Sequence, residues 1–102
     1  MKAFRWSFAK NETLKVERGL SFERIVVAIE SGGLLDIVAH PNPAKYPGQR
    51  ILVVACENYV HLVPFVEEEE YFFLKTVIPS RKATRNFLSR GADDAEQQRV
   101  RT

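Results

Sequence analysis

Cysteine is nearly absent from this chain, with Cys56 alone among 102 residues, so no internal disulfide framework braces the fold. Histidine is scarce too: His40 and His61 stand well apart. One cysteine and two histidines are too few for most structural zinc sites, and neither a metal nor a cofactor is expected. Long hydrophobic runs are lacking. Stretches such as Ile25–Ile29 fall far short of the roughly 20 residues that cross a bilayer. Met1-Lys2, followed by Arg5 and Lys10, carries no signal-peptide core. These absences predict a soluble cytoplasmic protein without membrane association.

What remains is 45% hydrophobic and 27% charged, enough for one small domain over residues 1–90. The polar stretch 91–102 reads as a disordered tail. A domain of this size leaves about a third of its unfolded surface exposed, so its core is thin and a partner is expected to support it. The net charge is only +2, yet its distribution is uneven. Residues 1–30 carry six bases against four acids, and residues 71–90 carry five against none (Lys75, Arg81, Lys82, Arg85, Arg90). The acids gather at Glu67–Glu70 and near Asp93. If the two basic segments meet in the fold, their joint field suits a polyanion.

Periodicity divides the chain into elements. Lys2–Trp6 alternates as a short strand with Phe4 and Trp6 on one face. Ser7 offers an N-cap, Phe8–Arg18 reads as a polar helix, and Gly19 stops it. Ser21 caps a second helix, Phe22–Glu30, with Phe22, Ile25, Val26 and Ile29 on its buried side. Leu34–Ala39 is extended, and the three prolines between His40 and Gln49 make a loop. Arg50–Cys56 is an apolar strand, Glu57-Asn58 a hairpin turn, and Tyr59–Val66 the return strand, in which Pro64 requires a bulge or an edge. After the acidic turn Glu67–Glu70, Tyr71–Pro79 reads as one last strand and Arg81–Arg90 as a helix with Ala83, Phe87 and Leu88 inward. The order β-α-α-β-β-β-β-α predicts an α+β domain, a mostly antiparallel sheet packed against helices on one side.

Four segments resemble the BrnT toxins of bacterial type II toxin-antitoxin pairs. They are Phe4-Arg5-Trp6 with Ala9-Lys10-Asn11-Glu12; Glu17-Arg18-Gly19-Leu20-Ser21-Phe22-Glu23; Gly48-Gln49-Arg50-Ile51-Leu52-Val53; and Arg81-Lys82-Ala83-Thr84-Arg85, preceded by Ile78. The chain departs from that family where Arg18 stands in place of a histidine before the glycine, at Ile78-Pro79-Ser80, at His61 and Pro64, and in the acidic turn. The resemblance implies a RelE/ParE-like fold and an endoribonuclease that arrests growth. It further implies a cognate antitoxin, of the ribbon-helix-helix kind or a similar small DNA binder, through which alone DNA would be met.

Metal-free RNA cleavage needs a base for the 2′-hydroxyl, charge stabilisation at the phosphoryl oxygens and a proton for the leaving oxygen. Guanidinium groups suit the second task, because they bind two phosphate oxygens at once and stay charged. Arg81 and Arg85, four apart on the last helix, share a face. Lys82 adjoins them, the amide groups of the first helical turn add donors, and Arg50 joins if the sheet carries it to the same side. Lys10, Arg18 and Lys75 are the expected contacts to the RNA backbone. For proton transfer the options are His61, His40 and Glu17, with Tyr59 or Tyr71 positioning a base by stacking. His61 has Tyr59, Val63 and Phe65 as same-face neighbours, a setting in which histidine is more often packed than catalytic. Two other functions compete with the nuclease: a catalytically inactive binding module, and a ParE-like toxin acting on a protein target.

Overall fold

The computed structural model describes residues 2–89; the tail at 91–102 lies outside the described residues. Strand β1 (Ala3–Trp6) turns Phe4 and Trp6 toward the core. Helix α1 (Phe8–Arg18) starts where the Ser7 hydroxyl accepts the Lys10 amide at 3.2 Å, and ends at Gly19 with φ 62°. Helix α2 (Phe22–Ala28) starts where the Ser21 hydroxyl accepts the Arg24 amide at 3.2 Å. It stops short of Glu30, because the chain opens into a wide turn, Ile29–Gly33. At Gly33 a Cβ would stand 2.5 Å from the Ala55 carbonyl oxygen, so only glycine lets this turn press on the neighbouring strand.

The strands are β2 (Leu34–Ala39), β3 (Gln49–Cys56), β4 (Tyr59–Glu67), β5 (Tyr71–Leu74) and β6 (Ile78–Pro79). A short helix α3 (Arg81–Thr84) follows and widens into one broader turn at Arg85–Ser89. The sheet order is β1-β5-β4-β3-β2, with β6 also on β4. Because β1 runs parallel to β5 while the other pairs are antiparallel, the sheet is mixed and the domain is α+β.

The expected single strand Tyr71–Pro79 is divided in two. Phe65 pairs with Leu74 and Leu62 with Ile78, so Val63 and Pro64 face three residues, Lys75, Thr76 and Val77. The extra residue breaks the ladder opposite Pro64, whose carbonyl accepts the Lys75 amide at 2.8 Å.

Directly paired residues share a face, so Leu52, Val54 and Cys56 lie with Val63, His61 and Tyr59. On this side α1 and α2 bury Leu14, Leu20, Phe22, Ile25 and Ile29 against the sheet. Fully buried Phe22 and Phe65 each contribute about 2–3 kcal/mol relative to exposure. The expectation of helices on one side holds for α1 and α2 only. α3 packs on β4, whose Val60 is fully buried yet outside that cluster, so the C-terminal helical segment covers the other face there. Its docking is hydrogen-bonded: the Thr84 hydroxyl donates to the Ser80 carbonyl at 2.7 Å and accepts the Val60 amide at 2.8 Å.

Candidate active site

The join between α1 and α2 meets the start of β4 in a groove of about 160 Å³. Arg18 and Leu20 line it from the join, Cys56 and Glu57 from the end of β3, and Tyr59, His61 and Pro79 from β4 and β6. Local chemistry holds each wall. Arg18 donates from Nη1 to the Val77 carbonyl at 2.5 Å, tying the end of α1 to the break between β5 and β6. Arg24 donates to the Gly19 carbonyl at 2.6 Å and pairs with Glu57, clamping the join to the hairpin. Glu57 and Asn58 both adopt positive φ, 57° and 63°, the pattern of a two-residue hairpin turn.

His61 is 6% exposed, and its Nδ1 is buried without a hydrogen-bond partner among the described residues. An unpaired buried nitrogen carries a desolvation cost that a packed core histidine normally avoids. Burial pushes its pKa below the ordinary value of 6.5. The backbone groups of Val54 and Tyr59 oppose the shift, but neither closes a hydrogen bond to Nδ1. The imidazole is therefore neutral at pH 7. Tyr59 meets it edge-on, ring centroids 5.8 Å apart.

The groove brings Arg18 and His61 together, two residues expected from the sequence to serve RNA. Pro79 pairs with His61, and the Ser80 amide donates to the Val60 carbonyl at 3.0 Å; Arg81 follows at once, so α3 begins beside the groove. Arg81, Lys82 and Arg85 are exposed and have no ion-pair partner among the described residues. The amide donors expected at this helix start are partly taken, since the Ser80 hydroxyl accepts the Ala83 amide at 3.0 Å.

Other expected residues lie elsewhere. Arg50 pairs with Phe65, five residues up β4 from Val60 and roughly 17 Å along the strand. There it stacks over the Phe65 ring and binds Glu67 at 2.6 Å. Glu17 sits with Glu12, Thr13 and Val16 on the outer surface of α1, away from the groove. Lys10 is exposed in the first turn of α1. Lys75 stands over the Phe73 ring, and alternation puts that ring on the opposite sheet face from Leu74. The acid that does line the groove is Glu57, which sequence reasoning assigned only to a turn. The Cys56 thiol is buried and its pKa raised by burial, as for a core residue.

A larger cavity, about 500 Å³, lies between α2, the wide turn and the end of β3. Its walls are Val27, Ala28, Gly32, Gly33 and Ala55, with Glu23, Arg24, Ser31, Cys56 and Glu57 at its rim. No helix is long and apolar enough to cross a membrane among the described residues. No protein-family model, curated protein or solved structure matches the chain.

Proposed function

We propose that this chain is the toxin of a type II toxin-antitoxin pair, a metal-independent endoribonuclease with a RelE/ParE-like fold that is neutralised by a cognate antitoxin. The observation carrying the reading is a buried, neutral imidazole lining a groove shared with Arg18 and Pro79, one residue before the Ser80 cap of the cationic α3. The resemblance of residues 2–90 to BrnT toxins supports the same reading. In this mechanism His61 accepts the 2′-hydroxyl proton as the 2′-oxygen bonds to phosphorus, the bond to the 5′-oxygen breaks, and the leaving 5′-oxygen takes a proton from water. Arg81 and Arg85 stabilise the charge that develops on the phosphoryl oxygens. Arg18 spends one of its five N–H donors on Val77, leaving others for the phosphate.

The test is inducible expression of wild type, His61→Gln and Arg81→Ala/Arg85→Ala, with growth followed and RNA 5′ ends mapped in the same cultures. Wild type arrests growth and generates new ends. The double arginine variant, changed only at exposed positions, stays folded and loses about a hundredfold or more in cleavage; His61→Gln loses a similar factor.

A second reading has one observation in its favour: at 6% exposure, His61 is less accessible than a working base usually is. It makes the protein a catalytically inactive binding module, and unimpeded growth with folded wild-type protein selects it. Growth arrest with intact RNA selects instead a ParE-like toxin acting on a protein target.

A further inference from the structure

The groove beside His61 holds about 160 Å³, below the roughly 300 Å³ at which small-molecule sites begin. It fits a phosphate and part of its sugar, and bases must be held elsewhere. The opposite sheet face offers a place. Phe72 and Leu74 point to the helix side, so Tyr71 and Phe73 of β5 face the other way, both half-buried. Arg5 of β1, paired in register with Phe73, lies 5.1 Å from the Tyr71 ring centre. Lys75 lies 5.5 Å from that of Phe73.

The surface continues inward along the register. Phe73 pairs with Val66, and Val66 with Gln49. Gln49 lines a cleft of about 260 Å³ with His40 and Tyr46 on one side and Lys75 and Ile78 on the other. In the cleft wall the His40 and Tyr46 rings meet at a tilt of 31° with centroids 4.4 Å apart, and Nδ1 of His40 accepts the Asn42 amide at 3.0 Å. Lys45 lies 5.4 Å from the Tyr46 ring centre. Arg5, Lys45 and Lys75 have no ion-pair partner among the described residues.

We infer that this face is a binding platform for single-stranded RNA, on which Tyr71, Phe73 and the His40–Tyr46 pair stack bases while Arg5, Lys45 and Lys75 take phosphates. Rings spaced along a sheet surface and interleaved with cations are what unpaired nucleotides need, because every base has a stacking face and every linkage a charge. A cation over an exposed ring is held weakly; a base displaces it and frees it for the neighbouring phosphate. Glu68–Glu70 border Arg5 and Tyr71 at one end and repel phosphate beyond them, so the strand ends at Arg5 and Tyr71 and runs from there over Phe73 toward the cleft. There Ile78 precedes Pro79 of the catalytic groove. The inference rests on the ribonuclease reading only for the ligand being a substrate; binding itself is independent of cleavage.

The test is fluorescence anisotropy with a labelled single-stranded 2′-O-methyl oligonucleotide, which lacks the hydroxyl nucleophile and cannot be cut by the proposed route. The same sequence as a duplex is the comparison. Wild type is expected to bind the single strand and to discriminate against the duplex. Phe73→Leu, which keeps the residue apolar, and Lys75→Ala each weaken binding about tenfold, and Phe73→Trp restores it. The platform is overturned if both variants bind as wild type does, if duplex binds equally well, or if the same substitutions spare RNA but abolish binding of a partner protein. Because no cleavage is read, an inactive protein that still binds leaves the platform standing. An active nuclease unaffected at these positions removes the platform alone.

Discussion

At the residue scale, His61 and Asn11 show opposite solutions to burying a polar side chain. Asn11 is 2% exposed and satisfied at both ends: its Oδ1 accepts the Phe22 amide at 2.7 Å and its Nδ2 donates to Glu23 at 2.8 Å. It thus completes the start of α2, a role invisible in a local pattern because the bond spans eleven residues. The hydrogen bond that Asn11 Nδ2 donates to Glu23 is also the main reason the Glu23 carboxyl titrates below its ordinary range. His61 is buried with Nδ1 unpaired, and burial holds its pKa down. The unfolded chain, whose histidine titrates near 6.5, binds more protons than the folded one as pH falls through that value. Stability therefore declines from about pH 7 downward and levels off only below the folded pKa. Thermal unfolding of wild type should show this loss between about pH 7 and pH 5, and His61→Gln should flatten that part of the curve. An unchanged slope in the variant would assign the pH dependence to other groups.

At the element scale, the local signals worked where the interaction itself is local. Ser7, Ser21 and Gly19 bound α1 and α2 through contacts within a few residues, and Glu57-Asn58 closes the β3–β4 hairpin. The division of Tyr71–Pro79 into β5 and β6 was not legible, because the residue opposite Pro64 is chosen by pairing and not by the strand's own sequence. Arg81–Thr84 is likewise more than a run of helix formers. Ser80 caps it and Thr84 fastens it to the edge of β4. Thr84→Val keeps the shape but removes the acceptor for the Val60 amide, so it should cost about 1–3 kcal/mol. Amide hydrogen exchange at Val60 should accelerate with it. If exchange there is unchanged while stability falls, the loss comes from somewhere other than the docking of α3.

At the scale of the whole molecule, the small net charge hides a directional field. Among the described residues Glu12, Glu57 and Glu67 form ion pairs, and at the edge where β4 ends Glu67 meets both Lys2 at 2.9 Å and Arg50 at 2.6 Å. Such exposed pairs stabilise by only about 0–1 kcal/mol; their larger effect is to remove charge from that edge. The cations of α3, and Lys75 just after β5, form no ion pair among the described residues and remain available to a polyanion. For the single-stranded oligonucleotide, the slope of log affinity against log salt should fall by about 0.7 for each of Arg81→Ala and Lys75→Ala. Removing Lys2, already paired with Glu67, should leave the slope nearly unaltered. Equal slopes for all three variants would mean that this uneven field plays no part in binding.

The sequence by itself determined the α+β class, the caps and stops of the first two helices, the hairpin, and which segments are basic, since each depends on periodicity or on neighbours a few residues apart. Only the tertiary structure decided that β1 lies parallel beside β5, that Arg18 and His61 share a groove, and that Arg50 and Glu17 stand away from it. It also decided that Glu57 lines the groove wall. These are outcomes of strand register and of which face a helix buries, and register is set by partners tens of residues distant, so no window along the chain contains them.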